Sequence, residues 1–216
     1  MAQQARAVRT RDAVVTAAAE AFADAGFPAT SMADIFARAG VTKGALYFHF
    51  TSKEELAFAI IEAEEQAAAD LIGGVMATDA PPLQKLIDIS LRWAREIQAN
   101  SVVRAGIRMI IEQGTYSRPM PRPYHGWQDV ARQLLAAAQE RGEVGPGIDL
   151  DAVSEFIIAS YAGAQVVSAV MSGHKDLVRR IETMWQVVLP ALVPAGGQPT
   201  RQVSLPASSL ARSPAP

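Results

Sequence analysis

The chain has 216 residues, half of them hydrophobic, with no cysteine and a formal net charge of −2. That length buries an ordinary core in one or two domains, while the missing cysteines exclude disulfide scaffolds and thiolate metal sites and suit a reducing compartment. No apolar run is expected to reach the ~20 residues of a membrane span, and no secretory leader is expected at the start, so a cytoplasmic protein is the expectation.

The first 53 residues hold six cationic and four anionic side chains, a local +2 that leaves −4 for the remainder. A basic head on an acidic body suits local contact with DNA without general adhesion to polyanions. Alanine, leucine, glutamate and arginine favour helix, and β-branched alternation is scarce, so the expected class is all-α.

The first helix is expected from about Thr10 to Ala25, where Val14, Ala17, Ala18, Ala21 and Phe22 recur at helical spacing. Gly26 stops it, and Pro28 prevents its continuation. Ser31 can cap a second helix with Asp34 in the capping-box position. Met32, Ile35, Phe36 and Ala39 form its buried side, and Gly40 is a natural left-handed C-cap. Thr42 can cap a short third helix, and helix, glycine turn, short helix is the helix-turn-helix pattern. A longer helix starts at Ser52 with the stripe Leu56, Ile60, Ala63 and Ala67, and Gly73-Gly74 should close it.

Beyond residue 80 long amphipathic helices are expected at Pro82–Gln98, Val102–Gln113, Trp127–Arg141, Leu150–Met171 and Lys175–Leu192. The segment Ser117–Pro123 is too proline-dense for helix. Residues 195–216, rich in proline, serine, glycine and alanine, read as a disordered tail. The expected organisation is therefore a helix-turn-helix DNA-binding domain over residues 1–52, a helical ligand-binding and dimerisation domain over 53–194, and the tail.

The segment Val41-Thr42-Lys43-Gly44-Ala45-Leu46-Tyr47-Phe48-His49-Phe50 divides its labour as a DNA-reading helix does. Ala45, Leu46, Phe48 and Phe50 are expected to anchor it, leaving Thr42, Lys43, Tyr47 and His49 outward and Gly44 open to close approach. Lys43 can donate to guanine O6 and N7 in the major groove, with Thr42 and Gly44 beside it. Tyr47 offers a hydroxyl to a phosphate, and His49 and Lys53 could add phosphate contacts. Thr30 and Ser31 could do the same from the start of the second helix, and Arg6 and Arg9, placed before the first helix, could reach flanking DNA. Tyr47 and His49 fit helix packing as well.

These residues resemble the tetracycline-repressor (TetR) family of bacterial transcription regulators over roughly residues 8–60. The resemblance is carried by Gly26, Thr30, Ser31, Ile35, Ala39, Gly40, Val41, Lys43, Gly44, Leu46, Tyr47, His49, Phe50, Lys53, Glu54 and Leu56. It implies a three-helix DNA-binding head, a helical ligand-binding body and a homodimer. The decapeptide further resembles that of the γ-butyrolactone autoregulator receptors, which control antibiotic production in filamentous soil bacteria. Weaker echoes are Arg104-Ala105-Gly106-Ile107-Arg108, the loop ending Pro123-Tyr124-His125-Gly126-Trp127, and Ala162-Gly163-Ala164-Gln165-Val166-Val167-Ser168.

The resemblance implies a repressor that binds an inverted-repeat operator as a homodimer and is released by a small γ-butyrolactone-type signal. The alternative is a repressor that senses an antibiotic or xenobiotic and controls an efflux or biosynthesis gene; the sequence pI of about 5.9 favours the lactone receptor. It also implies that Trp127 covers a ligand cavity, with Phe156, Ser160, Leu86, Ile89, Ile107 and Ile110 as further lining. Leu86, Ile89, Ile107 and Ile110, placed by helical phase alone, are equally explained as core; Trp127 fits an ordinary core tryptophan as well, and the Ser160 hydroxyl could instead bond its own helix backbone. Glu64 stands where related receptors often carry glutamine, and an ionised carboxylate cannot donate a hydrogen bond. For the dimer, Ala159, Ala162, Gly163, Ala164 and Val167 would allow close approach, while Val178, Ile181, Trp185 and Val188 supply bulk; the same residues could instead be intrachain core. No cofactor or metal is expected. The chain lacks G-x-S-x-G, P-loop, G-x-G-x-x-G and H-E-x-x-H patterns, and its three histidines are scattered, so an enzyme is not expected.

Overall fold

The structure, a computed structural model, describes residues 2–116 and 122–193; the side chains of residues 2–6, 46, 112–116, 122 and 123 fall outside that description. The described residues form nine α-helices and no strand: α1 (Ala2–Ala25), α2 (Met32–Ala39), α3 (Lys43–His49), α4 (Lys53–Met76), α5 (Pro82–Ala99), α6 (Ser101–Tyr116), α7 (Arg122–Glu140), α8 (Leu150–Ser172) and α9 (Leu177–Leu192). The expected tail and most of the proline-dense loop lie outside the described residues. Two compact units are present, one of residues 1–71 and 96–121, the other of 72–95 and 122–216.

In the first unit α1 begins well before Thr10, because Ala2–Arg9 is made of good helix formers with no breaker. Arg6 and Arg9 therefore lie within α1 rather than ahead of it. Gly26, at φ 82°, returns its N–H to the Phe22 carbonyl at 2.9 Å and ends the helix. The reciprocal capping box at α2 is present: Ser31 Oγ accepts from the Asp34 N–H, and the Asp34 carboxylate accepts from the Ser31 N–H at 2.9 Å. The Ser31 hydroxyl and backbone bonds hold the Asp34 carboxyl below its usual range. Gly40 closes α2 at φ 64°, and Arg38 donates to Asp24 at 2.8 Å, tying α2 to α1. Thr42 Oγ1 accepts the Ala45 N–H at 3.2 Å and so caps α3.

Val14, Ala18, Phe22, Ile35, Phe50, Leu56 and Ile60 meet in one apolar core. Sequence patterning did not foresee that α6 completes it with Ala105, Met109 and Ile110. Arg108 of α6 also donates to the Ala23 carbonyl at 2.8 Å, satisfying one of the bare carbonyls at the end of α1. α4 runs through Gly73-Gly74 to Met76 instead of ending there. Both glycines keep helical backbone with open space around them, a tolerated cost of about 1 kcal/mol each.

In the second unit the N-terminus of α5 is capped from far along the chain. The buried Glu143 accepts the Leu83 N–H at 3.1 Å, and Arg141 donates to its other oxygen at 2.9 Å. α7 starts at Arg122, earlier than expected, because Pro123 falls in the first turn where its missing N–H is no loss. The turn between α8 and α9 is held by Asp176, whose carboxylate accepts from Ser168 Oγ (2.5 Å), Ser172 Oγ (2.7 Å) and Arg180 Nε (2.8 Å). Those serine bonds, with Arg180 adding, keep its carboxyl well below the usual range.

Contrary to the expectation from sequence, α8 is long and apolar enough to cross a membrane by length and composition. Its apolar residues are not all core. Phe156, Val166, Val167 and Val170 form an exposed stripe, the last 83% accessible. Ile181, Trp185 and Val188 of α9, expected to supply bulk to a dimer contact, are instead buried within this unit. On α9 it is Val187 that stands exposed.

Candidate functional site

The cap at Thr42 and the buried Phe50 fix how α3 sits on its unit. Lys43, Gly44 and Tyr47 are exposed along it, and the Lys43 ammonium lies 5.8 Å from the Tyr47 ring centre. That is a cation over an aromatic face, which orients the lysine without neutralising it. Thr42 and Ser31 are exposed too, with hydroxyls engaged as helix caps.

Three expected contacts are placed differently. Thr30 is 4% accessible, and its hydroxyl donates to the Ala21 (3.1 Å) and Gly26 (2.9 Å) carbonyls, so it fastens the α1–α2 turn rather than facing outward. Lys53 turns its ammonium onto the same turn. It donates to the carbonyls of Phe27 (2.8 Å), Thr30 (3.1 Å) and Pro28 (3.4 Å) and lies 4.5 Å over the Phe27 ring. Its charge is committed to the fold, because the turn leaves those carbonyls without helical partners. His49 is half-buried, edge-on to Phe48 at 5.1 Å. Phe48, expected as an anchor, is 81% exposed. Arg9 is exposed on α1, and the Arg6 side chain lies outside the described residues.

The expected ligand residues divide between the two units. Glu64, Ile107 and Ile110 belong to the first. Ile110 is part of the core shared with α1, α2 and α4, and Ile107 is half-buried. Glu64 is 4% accessible and packs against Gly106 of α6. Burial, with the Glu65 charge beside it, pushes its carboxyl up to about 7. An open groove in the same unit, lined by Arg11, Ala59, Glu62, Ala63, Glu65, Gln66 and Ala69, contains none of the expected ligand residues.

Trp127, Ser160, Phe156, Leu86 and Ile89 belong to the second unit. Trp127 is half-buried, its ring 5.3 Å from that of the buried Trp93 at an interplanar angle of 43°. Leu86 and Ile89 are buried, and Ser160 is half-buried. Phe156 is not a lining residue within this chain. It is 57% exposed on the outward stripe of α8, because its phase matches Gly163, Val167 and Val170.

Sequence reasoning missed a polar and aromatic cluster in this unit. Trp185 Nε1 donates to Ser90 Oγ at 2.7 Å, Ser90 Oγ donates to the Ile87 carbonyl at 2.7 Å, and the Tyr161 hydroxyl donates to the Ser90 carbonyl at 3.3 Å. Burial pushes the Tyr161 phenol above its usual range. The available signal was the helical phase of Leu86, Ile89, Ser90 and Trp93, which places a serine and a tryptophan on the apolar stripe of α5.

Residues 14–60 match the family model described as bacterial regulatory proteins, tetR family, and residues 80–194 match that of the tetracyclin repressor-like C-terminal domain. The A-factor receptor protein of Streptomyces griseus is 41% identical over 196 residues, 91% of this chain and 68% of that protein. Among solved structures, a gamma-butyrolactone receptor described as ArpA-like is 33% identical with a TM-score of 0.77, covering 92% of this chain and 94% of its own. The TetR family protein CprB from Streptomyces coelicolor, solved in complex with its biological operator sequence, is 34% identical with a TM-score of 0.76 and the same coverage.

Proposed function

The chain belongs to the tetR family of bacterial regulatory proteins, and from that premise we propose that it is a ligand-responsive transcriptional repressor. It binds an inverted-repeat operator as a homodimer and leaves it when a γ-butyrolactone-type signal binds the C-terminal domain. The observation that carries this reading is the outward face of α3, where Lys43, Gly44 and Tyr47 stand exposed and together on a helix capped at Thr42. Likeness along most of the chain to a solved gamma-butyrolactone receptor supports the lactone over a xenobiotic. The function needs no catalytic step and is exercised in the cytoplasm, where the operator is.

The homodimer explains the exposed apolar stripe of α8. Phe156, Val166, Val167 and Val170, with Val187 of α9, would be covered by the same surface of a second copy, in a self-complementary two-fold contact. Two recognition helices then meet two half-sites about one helical turn apart.

Lys43→Ala is expected to lose about 1–3 kcal/mol on a specific operator and far less on random duplex, because a base contact discriminates and a phosphate contact does not. Gel shifts of both duplexes measure this, and equal loss on the two would reduce Lys43 to a phosphate contact.

Release follows from differential affinity. The lactone must bind the DNA-incompetent state better than the competent one, and hundredfold derepression requires about 2.7 kcal/mol of difference. Trp127→Ala is expected to keep operator affinity while needing at least about tenfold more lactone for release, equivalent to ~1.4 kcal/mol. Titration of the protein–operator complex with a synthetic γ-butyrolactone tests it. Unchanged release would make Trp127 a core residue paired with Trp93 and nothing more.

A further inference from the structure

Phe48 is 81% exposed on α3, and neither the core nor the contacts assigned above use it. At 100° per residue Lys43 and Tyr47 fall on one stripe of the helix, and Gly44 and Phe48 on the adjoining one. All four are exposed, whereas Ala45 and His49 are half-buried and Phe50 is buried. The outward face is therefore a continuous patch of a cation, a phenol, a bare backbone and an apolar ring. No neighbour stands within 4 Å of a Cβ position at Gly44, one turn before Phe48, so the surface beside the ring is open. The Phe48 ring makes an edge contact with that of His49, at 83° between the rings.

We infer that Phe48 reads sequence by packing against the 5-methyl groups of thymine in the major groove, beside the Lys43 contact. The groove offers hydrogen-bond donors, acceptors and a single apolar group, the thymine methyl. Lys43 takes the acceptors. A phenyl ring has no hydrogen bond to offer, so the methyl is the group it matches, and burying the two together removes apolar surface from water. The position is continuous with the face already assigned to DNA, which separates it from the stripe on α8. The inference rests on operator binding and adds which bases the operator must carry.

The test uses full-length protein and duplexes enriched by the wild-type chain from a random pool, each remade with deoxyuridine in place of thymine. Wild type is expected to bind the deoxyuridine duplex about fourfold more weakly for each methyl packed against the ring. Phe48→Ala should bind the thymine duplex more weakly than wild type and treat the two duplexes alike. Because the side chain is exposed, its thermal melt should match that of wild type. If wild type does not distinguish the duplexes, or if Phe48→Ala keeps the thymine preference, Phe48 does not read methyls. A changed oligomeric state in Phe48→Ala with unaltered duplex affinity would make the ring a protein contact and equally overturn the inference. A pool that yields no enriched duplex removes the operator, and the repressor reading falls with it; an enriched duplex indifferent to thymine removes only the role of Phe48.

Discussion

Raising the pH from about 5 to about 8 is expected to cost the wild-type chain up to about 3 kcal/mol of stability that Glu64→Gln retains, at ~1.4 kcal/mol for each pH step between the two pKa values. The cause is a carboxyl that the fold keeps from water. Glu64 is packed on Gly106, and burial first, then the neighbouring Glu65 charge, pushes its pKa from 4.5 to about 7. The unfolded chain releases that proton near the lower value, and the folded chain near the upper. The stability owed to the neutral acid is thus fully present below pH 4.5 and is lost as pH rises through about 7. Glutamine has the same shape and no charge to desolvate, so its curve should stay flatter across this range. Urea melts of both proteins at several pH values give the difference directly, and parallel curves would mean that the carboxylate is solvated in the folded state. Asp34 and Asp176 have depressed pKa values, so their contributions are lost only as pH falls and leave this window untouched.

Gly106→Ala is expected to destabilise the first unit by about 3 kcal/mol, at the upper end for overpacking. A Cβ at that position would stand 2.6 Å from Glu64 Cβ, 3.0 Å from its Cγ and 3.3 Å from the Ile60 carbonyl oxygen. The nearest atom is fixed to the α4 backbone, so no rotamer change relieves the clash and α4 and α6 must separate. α6 also supplies Ala105, Met109 and Ile110 to the core beneath the DNA-reading helices, so the loss extends there. The same substitution at Gly73 or Gly74 should have the opposite sign. Both are helical with open space around them, and alanine there should add up to about 1 kcal/mol of stability. Chemical denaturation of the three variants separates the cases, and a neutral Gly106→Ala would show that the helices yield without cost.

Elements set by local chemistry were legible in the sequence. The capping box of Ser31 and Asp34, the left-handed Gly26 and Gly40 and the cap at Thr42 each depend on residues within a turn of one another. Continuity of a helix was less so. Gly73-Gly74 looked like a stop, yet propensity is a weak preference that a long helix overrides. Burial was the least legible property. Periodicity tells which residues share a face and not what covers it, so the apolar stripe of α8 and the buried residues of α9 were not distinguished as exposed and interior.

The sequence by itself determined the family, the order of the helices, and the residues at the start of α3, because the caps and turns that frame that helix are written within a few residues of it. The tertiary structure decided what each polar side chain near it is free to do. Thr30 and Lys53 looked like DNA contacts, but bare carbonyls of the α1–α2 turn take up the hydroxyl and the ammonium. Glu64 became a buried acid only because Gly106, far along the chain, lets α6 come against it. Phe48 stands at the surface while Phe50, two residues on, is held in the core with Ile35 and Leu56. Each outcome depends on a partner brought close by packing, which spacing along the chain does not encode.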